Sequence, residues 1–375
     1  MAVMSTIRSL RKPHSSIGLD VGRSAVRAAQ LQRAGNGWHV VMLGHWPLAP
    51  DDPPACEPPT CDRVASWLRR VRFCGHKTVL GLSPPDVELH AMELPRIENV
   101  DPQEFRLAAH HEVERLMSFA SGEAQTDLWR VPPSTTARTT AIGVAAPKER
   151  VDRLVALCER SGLDCVRVDA TACALARFGW VLRGADTAPH DVWGVLDLGD
   201  RRSRLIVCVD DRPVLARSFE YGGRAWTQRL ADALGVSPKT AEQHKRDRGI
   251  TPVSREASGP RSEGVLSEMI YNVLRGDLEA VLDELERSYR YVLRSYAPRQ
   301  PGPLLLVGGG AGMRNLDDWL AGRLGIDVVT PTLRGQPHFD GIDLSRVAGT
   351  LREPANGFAC AIGLALDTGA CDAER

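Results

Sequence analysis

The chain reads as an α/β protein of two duplicated domains, with a smaller α/β subdomain inserted into the first, and three observations carry that reading. An apolar strand, an Asp-x-Gly turn and a returning strand occupy residues 17–27, and the same order recurs over 195–207. A third stretch, 304–312, runs from a buried strand into Gly308, Gly309, Gly310 and Gly312 before a helix begins. One such hairpin is weak evidence, but two in one chain point to a duplicated unit. At 375 residues the chain exceeds one ordinary core and suits two domains.

Composition narrows the function. Hydrophobic residues make up 43% and charged residues 25%, the balance of a soluble folded protein. Lys plus Arg and Asp plus Glu both number 47, so no long-range field draws nucleic acid or an anionic membrane. The apolar stretches 303–307 and 358–366 fall short of the roughly 20 residues that span a bilayer. Membrane association is therefore expected only through a partner. Residues 1–14 carry Arg8, Arg11 and Lys12 without the apolar core of a signal peptide, and are expected to be a disordered leader. The nine cysteines form no Cys-x-x-Cys pair, and Cys158, Cys165, Cys173 and Cys208 sit in apolar patterns, which points to reduced thiols and the cytoplasm. His111-Glu112 lacks the second His of a zinc helix, because Arg115 holds that place.

Along the chain, a third strand at 37–43 completes the first meander, and Thr60 is expected to cap a helix with Val64, Trp67, Leu68 and Val71 on one face. From Lys77 to Arg160 the pattern changes to strands near 78–82, 87–94, 126–131 and 140–145 with two helices, which sets the insertion at 77–160. Its first helix is announced by Asp101 as N-cap, Pro102 at N1 and Glu104 at N3, and its second runs from Pro147 to Gly162. A strand at 165–168 and a helix at 170–180 return to the first core, so that domain comprises 15–76 and 161–190. The second domain, 191–352, repeats the hairpin, adds a strand at 213–219 and opens a helix at Tyr221-Gly222-Gly223 that Gly235 closes. Ser237-Pro238 starts a short helix with Glu242 and Lys245, and residues 251–264 read as a polar loop. In the following long helix, the stripe Leu278, Val281, Leu282, Leu285, Tyr289, Val292, Leu293 and Tyr296 is core rather than a binding face. Residues 353–375 close the chain as a helix and tail.

The turns carry the candidate chemistry. Gly22 is expected to take the positive φ of a tight hairpin, with turn amides free to face an anion, and Asp20 is placed to hold a hydrated Mg²⁺. Glycines at 308–310 let a ligand approach the backbone ahead of a helix. A dinucleotide fingerprint fits less well, since its last glycine falls on Met313.

These features, in this order, resemble the actin, sugar-kinase and Hsp70 superfamily, and within it the PilM family of type IV pilus assembly proteins. The likeness spans about 17 to 366 and includes Met92 to Pro95, Val144 to Glu149, Val168 to Ala170 with Ala174 to Ala176, Tyr221 to Gly223 and Val307 to Ala311. It implies an actin-like (ribonuclease H-like) duplicated fold with ATP and Mg²⁺ in the central cleft. Carried over, Asp20 and Asp197 would hold the metal through water, and Gly22, Arg23, Ser24, Arg27, Gly199 and Ser203 would lie near the phosphates. A nucleotide-side subdomain at about 221–297 would bring Gly222, Gly223, Glu242 and Lys245 to the ligand, and Gly308, Gly309 and Gly310 would pass under the adenosine. Arg27 stands where relatives often carry Lys, Arg23 where Ser or Thr is usual, and Asp200-Arg201-Arg202 replaces small residues. The resemblance further implies a partner, the N-terminal cytoplasmic peptide of a PilN-like inner-membrane protein, gripped by a groove between the insertion and the first core. The leading reading is a nucleotide-binding scaffold of pilus or type II secretion assembly, cytoplasmic and peripheral to the inner membrane, with room for a homo-oligomer. A scaffold without nucleotide and a small-molecule kinase are the alternatives, and no general base can be picked for hydrolysis.

Overall fold

Strand pairing in the computed structural model repeats one order twice. The structure describes residues 14–35, 37–94, 102–119, 122–135, 141–183, 191–251, 261–331, 342–343 and 355–366. The expected leader, Asp101 with its capping role, the link 184–190, most of the loop 251–264 and the tail beyond 366 lie outside them.

The first half opens with the meander β1 (Ile17–Val21), β2 (Ala25–Ala34) and β3 (Gly37–Pro47), followed by α1 (Thr60–Leu68) and β4 (Lys77–Leu82). The insertion supplies β5 (Glu88–Met92), α2 (Pro102–Leu116), β6 (Ala124–Arg130) and β7 (Ala141–Pro147). Then α3 (Lys148–Arg160), β8 (Asp164–Ala170) and α4 (Thr171–Arg183) return to the first half. The second half follows with β9 (Asp191–Leu198), β10 (Ser203–Val209), β11 (Arg212–Phe219), α5 (Gly223–Leu234), α6 (Pro238–Asp247), α7 (Arg261–Ser295), β12 (Gln300–Val307), α8 (Leu316–Leu324) and β13 (Val328–Val329). A two-residue β14 (Ile342–Asp343) lies on the outer edge of β3, and α9 (Ala359–Ala365) ends the described chain.

The first sheet runs β14-β3-β2-β1-β4-β8 and the second β11-β10-β9-β12-β13, each an antiparallel meander extended by parallel strands. That shared order is the duplication. Strand β4, read from the sequence as the start of the insertion, instead pairs in parallel with both β1 and β8. Helix α3 likewise belongs to the first half, burying Leu154, Leu157 and Cys158 beside Val64 and Leu68 of α1. The insertion proper is thus the three-stranded sheet β5-β7-β6 with α2.

Helices α4 and α9 lie between the two sheets, sharing one core with Val79 of the first and Val195, Ile206 and Leu305 of the second. Close packing there selects small residues: a Cβ on Gly18 would collide with Ala361 O, and one on Gly363 with Ala174 O. Every residue of α9 is buried, which explains the apolar run at 358–366. Outside the second sheet, α7 buries Leu278, Val281, Leu282, Leu285, Tyr289, Val292 and Tyr296, so the stripe is core as expected. Helix α1 begins at Thr60, but its N-cap is Pro59 without a side-chain bond, and Val71 falls beyond its end. Among the described residues no helix is long and apolar enough to cross a membrane.

The insertion also reaches the second half. Trp129 Nε1 donates to Pro213 O at 2.9 Å, Thr135 N to Ser295 O at 2.8 Å, and Val131 and Ile142 join the second core. Its junction with the first core is closed by buried Val87 and Ala146 and by the Arg150–Asp86 ion pair at 2.8 Å.

Candidate functional site

Both hairpins place an acid and a base opposite each other. On the first, Asp20 faces Arg27 across the β1–β2 ladder; on the second, Asp197 faces Arg204 across β9–β10. Each arginine follows its aspartate by seven residues, so the duplication extends to the charges. Neither Gly22 nor Gly199 has a positive φ, contrary to the expected hairpin geometry. Glycine is needed for another reason: a Cβ on Gly22 would lie 3.0 Å from Ala25 O, and one on Gly199 would collide with Arg202 O. The Gly22 amide donates to Ala25 O at 3.0 Å and closes the turn rather than facing an anion.

Arg204 organises the centre of the cleft. Its Nε donates to Asp197 Oδ2 at 2.9 Å, its Nη2 makes a further bond to the same oxygen, and its Nη1 donates to Thr171 Oγ1 at 3.0 Å. Since Thr171 opens α4 in the first half, one guanidinium ties the two halves together. Burial alone would lower the pKa of Arg204, but the Asp197 carboxylate reverses this and holds it above its usual value. Burial pushes the carboxyl of Asp20 up, against the opposing pull of Arg204 first and Arg27 second. Cys360 of α9 is raised well above the normal thiol range by burial and then by Asp20. On the first hairpin, Arg27 Nε is buried without a hydrogen-bond partner, as is Asn356 Oδ1 nearby on the approach to α9.

The remaining candidates are largely engaged within the chain. Ser203 is fully buried and its hydroxyl donates to Tyr221 O. The Gly223 and Arg224 amides, at the start of α5, donate to Gly199 O and Asp200 O at 2.9 and 2.8 Å, and Arg224 pairs with Asp200 at 3.0 Å. Gly222 fits against that turn, where a Cβ would meet Asp200 O at 2.5 Å. Lys245 is buried under α5, donating to Gly223 O at 3.0 Å and Thr227 Oγ1 at 2.8 Å and pairing with Glu242 at 2.5 Å. Burial lowers the Lys245 pKa against the pull of Glu242, while Glu242, despite its own burial, is held below the usual carboxylate range by Lys245 and Arg246. Gly308, with φ +89°, lies so close to Asp197 that a Cβ would strike Oδ1, whereas Gly309 faces open space. Arg23 is exposed, and Ser24 accepts from Leu48 N at 2.8 Å through its backbone oxygen.

The donor set does not fit a Mg²⁺ ion between the two carboxylates. Asp197 Oδ2 already accepts from two nitrogens of Arg204, so a metal there would have to displace a buried cation. Arg204 and Thr171 are the residues that sequence reading passed over. Only Arg204 left a signal, the repeated seven-residue spacing from aspartate to arginine.

Two matching sheets with a shared helical layer and paired Asp-x-Gly hairpins define an actin-like ATPase fold. More narrowly, a family model described as type IV pilus assembly protein PilM matches residues 18–369, and the chain belongs to that family. A solved PilM-PilN type IV pilus biogenesis complex is similar with a TM-score of 0.71 at 23% identity, covering 94% of this chain and 98% of that one. The ethanolamine utilization protein EutJ from Carboxydothermus hydrogenoformans is similar at a TM-score of 0.52 and 12% identity, over 96% and 91% of the two chains. MreB5 of Spiroplasma citri bound to AMPPNP aligns at 0.48 and 12%, over 93% and 94%.

Proposed function

We propose that this chain is an assembly scaffold of type IV pilus machinery that docks on the N-terminal peptide of a PilN-like inner-membrane protein, and that it does so without turning over Mg-ATP. Family membership supports the assembly role, and a structural relative is itself a complex of PilM with PilN. The observation that carries the docking is an open groove of about 500 Å³ within the insertion, between Ala91, Met92 and Glu93 at the end of β5 and Glu112, Arg115 and Leu116 of α2. Strand β5 pairs with β7 on one side only, among the described residues, so an extended peptide has backbone groups to bond and apolar side chains to rest on. This groove lies within the insertion, whereas the sequence places the peptide between insertion and first core, a junction where Val87 and Ala146 are buried. Equal numbers of acidic and basic residues favour membrane contact through the peptide rather than through lipid charge.

The engaged carboxylate of Asp197 favours the scaffold over an ATPase or a kinase of the same fold. Calorimetric titration of a synthetic PilN-like N-terminal peptide into the full chain tests the docking. Point substitutions serve better than removal of 77–160, which would take β4 and α3 from the first core. Ala91→Arg and Leu116→Asp are expected to weaken binding by at least about tenfold. Unchanged binding by both variants overturns the groove, and no binding by the wild type overturns the partner.

A further inference from the structure

The actin-like fold leads one to expect a divalent cation between the carboxylates of the two hairpins, and this chain has placed a side chain there. Arg204 contacts Asp197 through two of its nitrogens and Thr171 through the third, and Asp20 lies within its electrostatic reach. The arrangement is built into the strand register, because Arg204 is the cross-strand neighbour of Asp197, and cross-strand opposite charges are a stabilising pair. It is also screened from water: the Asp197 side chain is 7% exposed and that of Arg204 20%. Only glycine fits at 308, because a Cβ there would strike Asp197 Oδ1. A metal entering here would have to eject a guanidinium from a buried carboxylate, leaving that positive charge beside its own.

We propose that Arg204 is a tethered cation standing in place of the divalent metal, so that the cleft of this protein excludes Mg²⁺ and joins its two halves through the chain itself. Excluding the metal is a property of the cleft alone and does not depend on the docking groove. Anionic ligands that reach the cleft must then meet Arg27, with its unpartnered Nε, without a metal bridge.

The experiment uses Mn²⁺ alone as probe, followed by electron paramagnetic resonance on the full chain. Wild type is expected to leave Mn²⁺ free, while Arg204→Ala gains one site that binds at least about tenfold more tightly and that the added Asp197→Asn removes. Room for water beside the shortened side chain comes from a cavity of about 130 Å³ lined in part by Thr171, Arg204 and Ser218. Should Arg204→Ala fail to fold, Arg204→Gln keeps an uncharged polar side chain beside Asp197 while removing the charge, and is expected to gain the same site. A wild-type Mn²⁺ site abolished by Asp197→Asn overturns the proposal, as does a folded neutral variant that gains none. A wild type that leaves Mn²⁺ free supports it even if neither variant folds.

Discussion

The two hairpins carry the same acid and base at the same spacing, yet they do different things. On the second, Arg204 is bonded to Asp197 and crosses to Thr171, Ser203 is locked to Tyr221, and the turn is anchored by the first amides of α5. The first turn is looser: Arg23 is exposed, Arg27 Nε is unpartnered, and Leu48 N to Ser24 O supplies an anchor. Duplication thus conserved a charge pattern while one copy became a structural clasp. The difference lies in what each arginine can reach, because Arg204 has Thr171 of the opposite half within hydrogen-bond distance.

Stability measurements by urea denaturation should separate the copies. Asp197→Ala is expected to have the largest effect, a loss of about 3–5 kcal/mol, because it leaves the Arg204 guanidinium buried without its carboxylate. Thr171→Val removes the bond across the halves and should cost about 1.5–3 kcal/mol, the range for a hydrogen bond to a charged group. Asp20→Asn should behave oppositely and stabilise the fold at neutral pH. The sign follows from burial: the folded-state pKa of Asp20 is raised above its usual 3.8, so the folded chain holds this proton more tightly than the unfolded chain. Its contribution is most favourable at low pH and is lost as pH rises from 3.8 through the folded value; the Asn variant lacks that loss. The smallest contrast is between the turn serines. Ser203→Ala should lose about 1 kcal/mol with its bond to Tyr221 O, whereas Ser24→Ala, whose anchoring group is backbone, should change stability by under about 0.5 kcal/mol. Equal effects at 203 and 24 would remove the distinction between clasp and open turn.

Sequence reading recovered the elements better than their partners. The repeated hairpins, the glycine run after β12, the Gly235 stop and the Ser237 cap, which accepts from Thr240 N, are local signals, and the structure carries each of them. The pattern groups β4 with the insertion although it pairs with β1 and β8, because an apolar strand after a polar connector looks the same whichever neighbour it joins. The two-residue strands β13 and β14 are too short to show a period. The pattern suits Lys245 and Glu242 to a ligand, but a lysine three residues after a glutamate on a helix does not reveal that the lysine is buried against α5. Arg204 was legible in kind, as the echo of Arg27, but not in role, since Thr171 lies in the other half of the chain.

A cleft that needs no metal and a peptide groove on the insertion are tested together by one calorimetric comparison. The PilN-like N-terminal peptide is titrated into the full chain in EDTA and again with Mg-ATP present. The expected result is stoichiometric binding of the same affinity in both. Binding that appears only with Mg-ATP, or no binding in either, would contradict it.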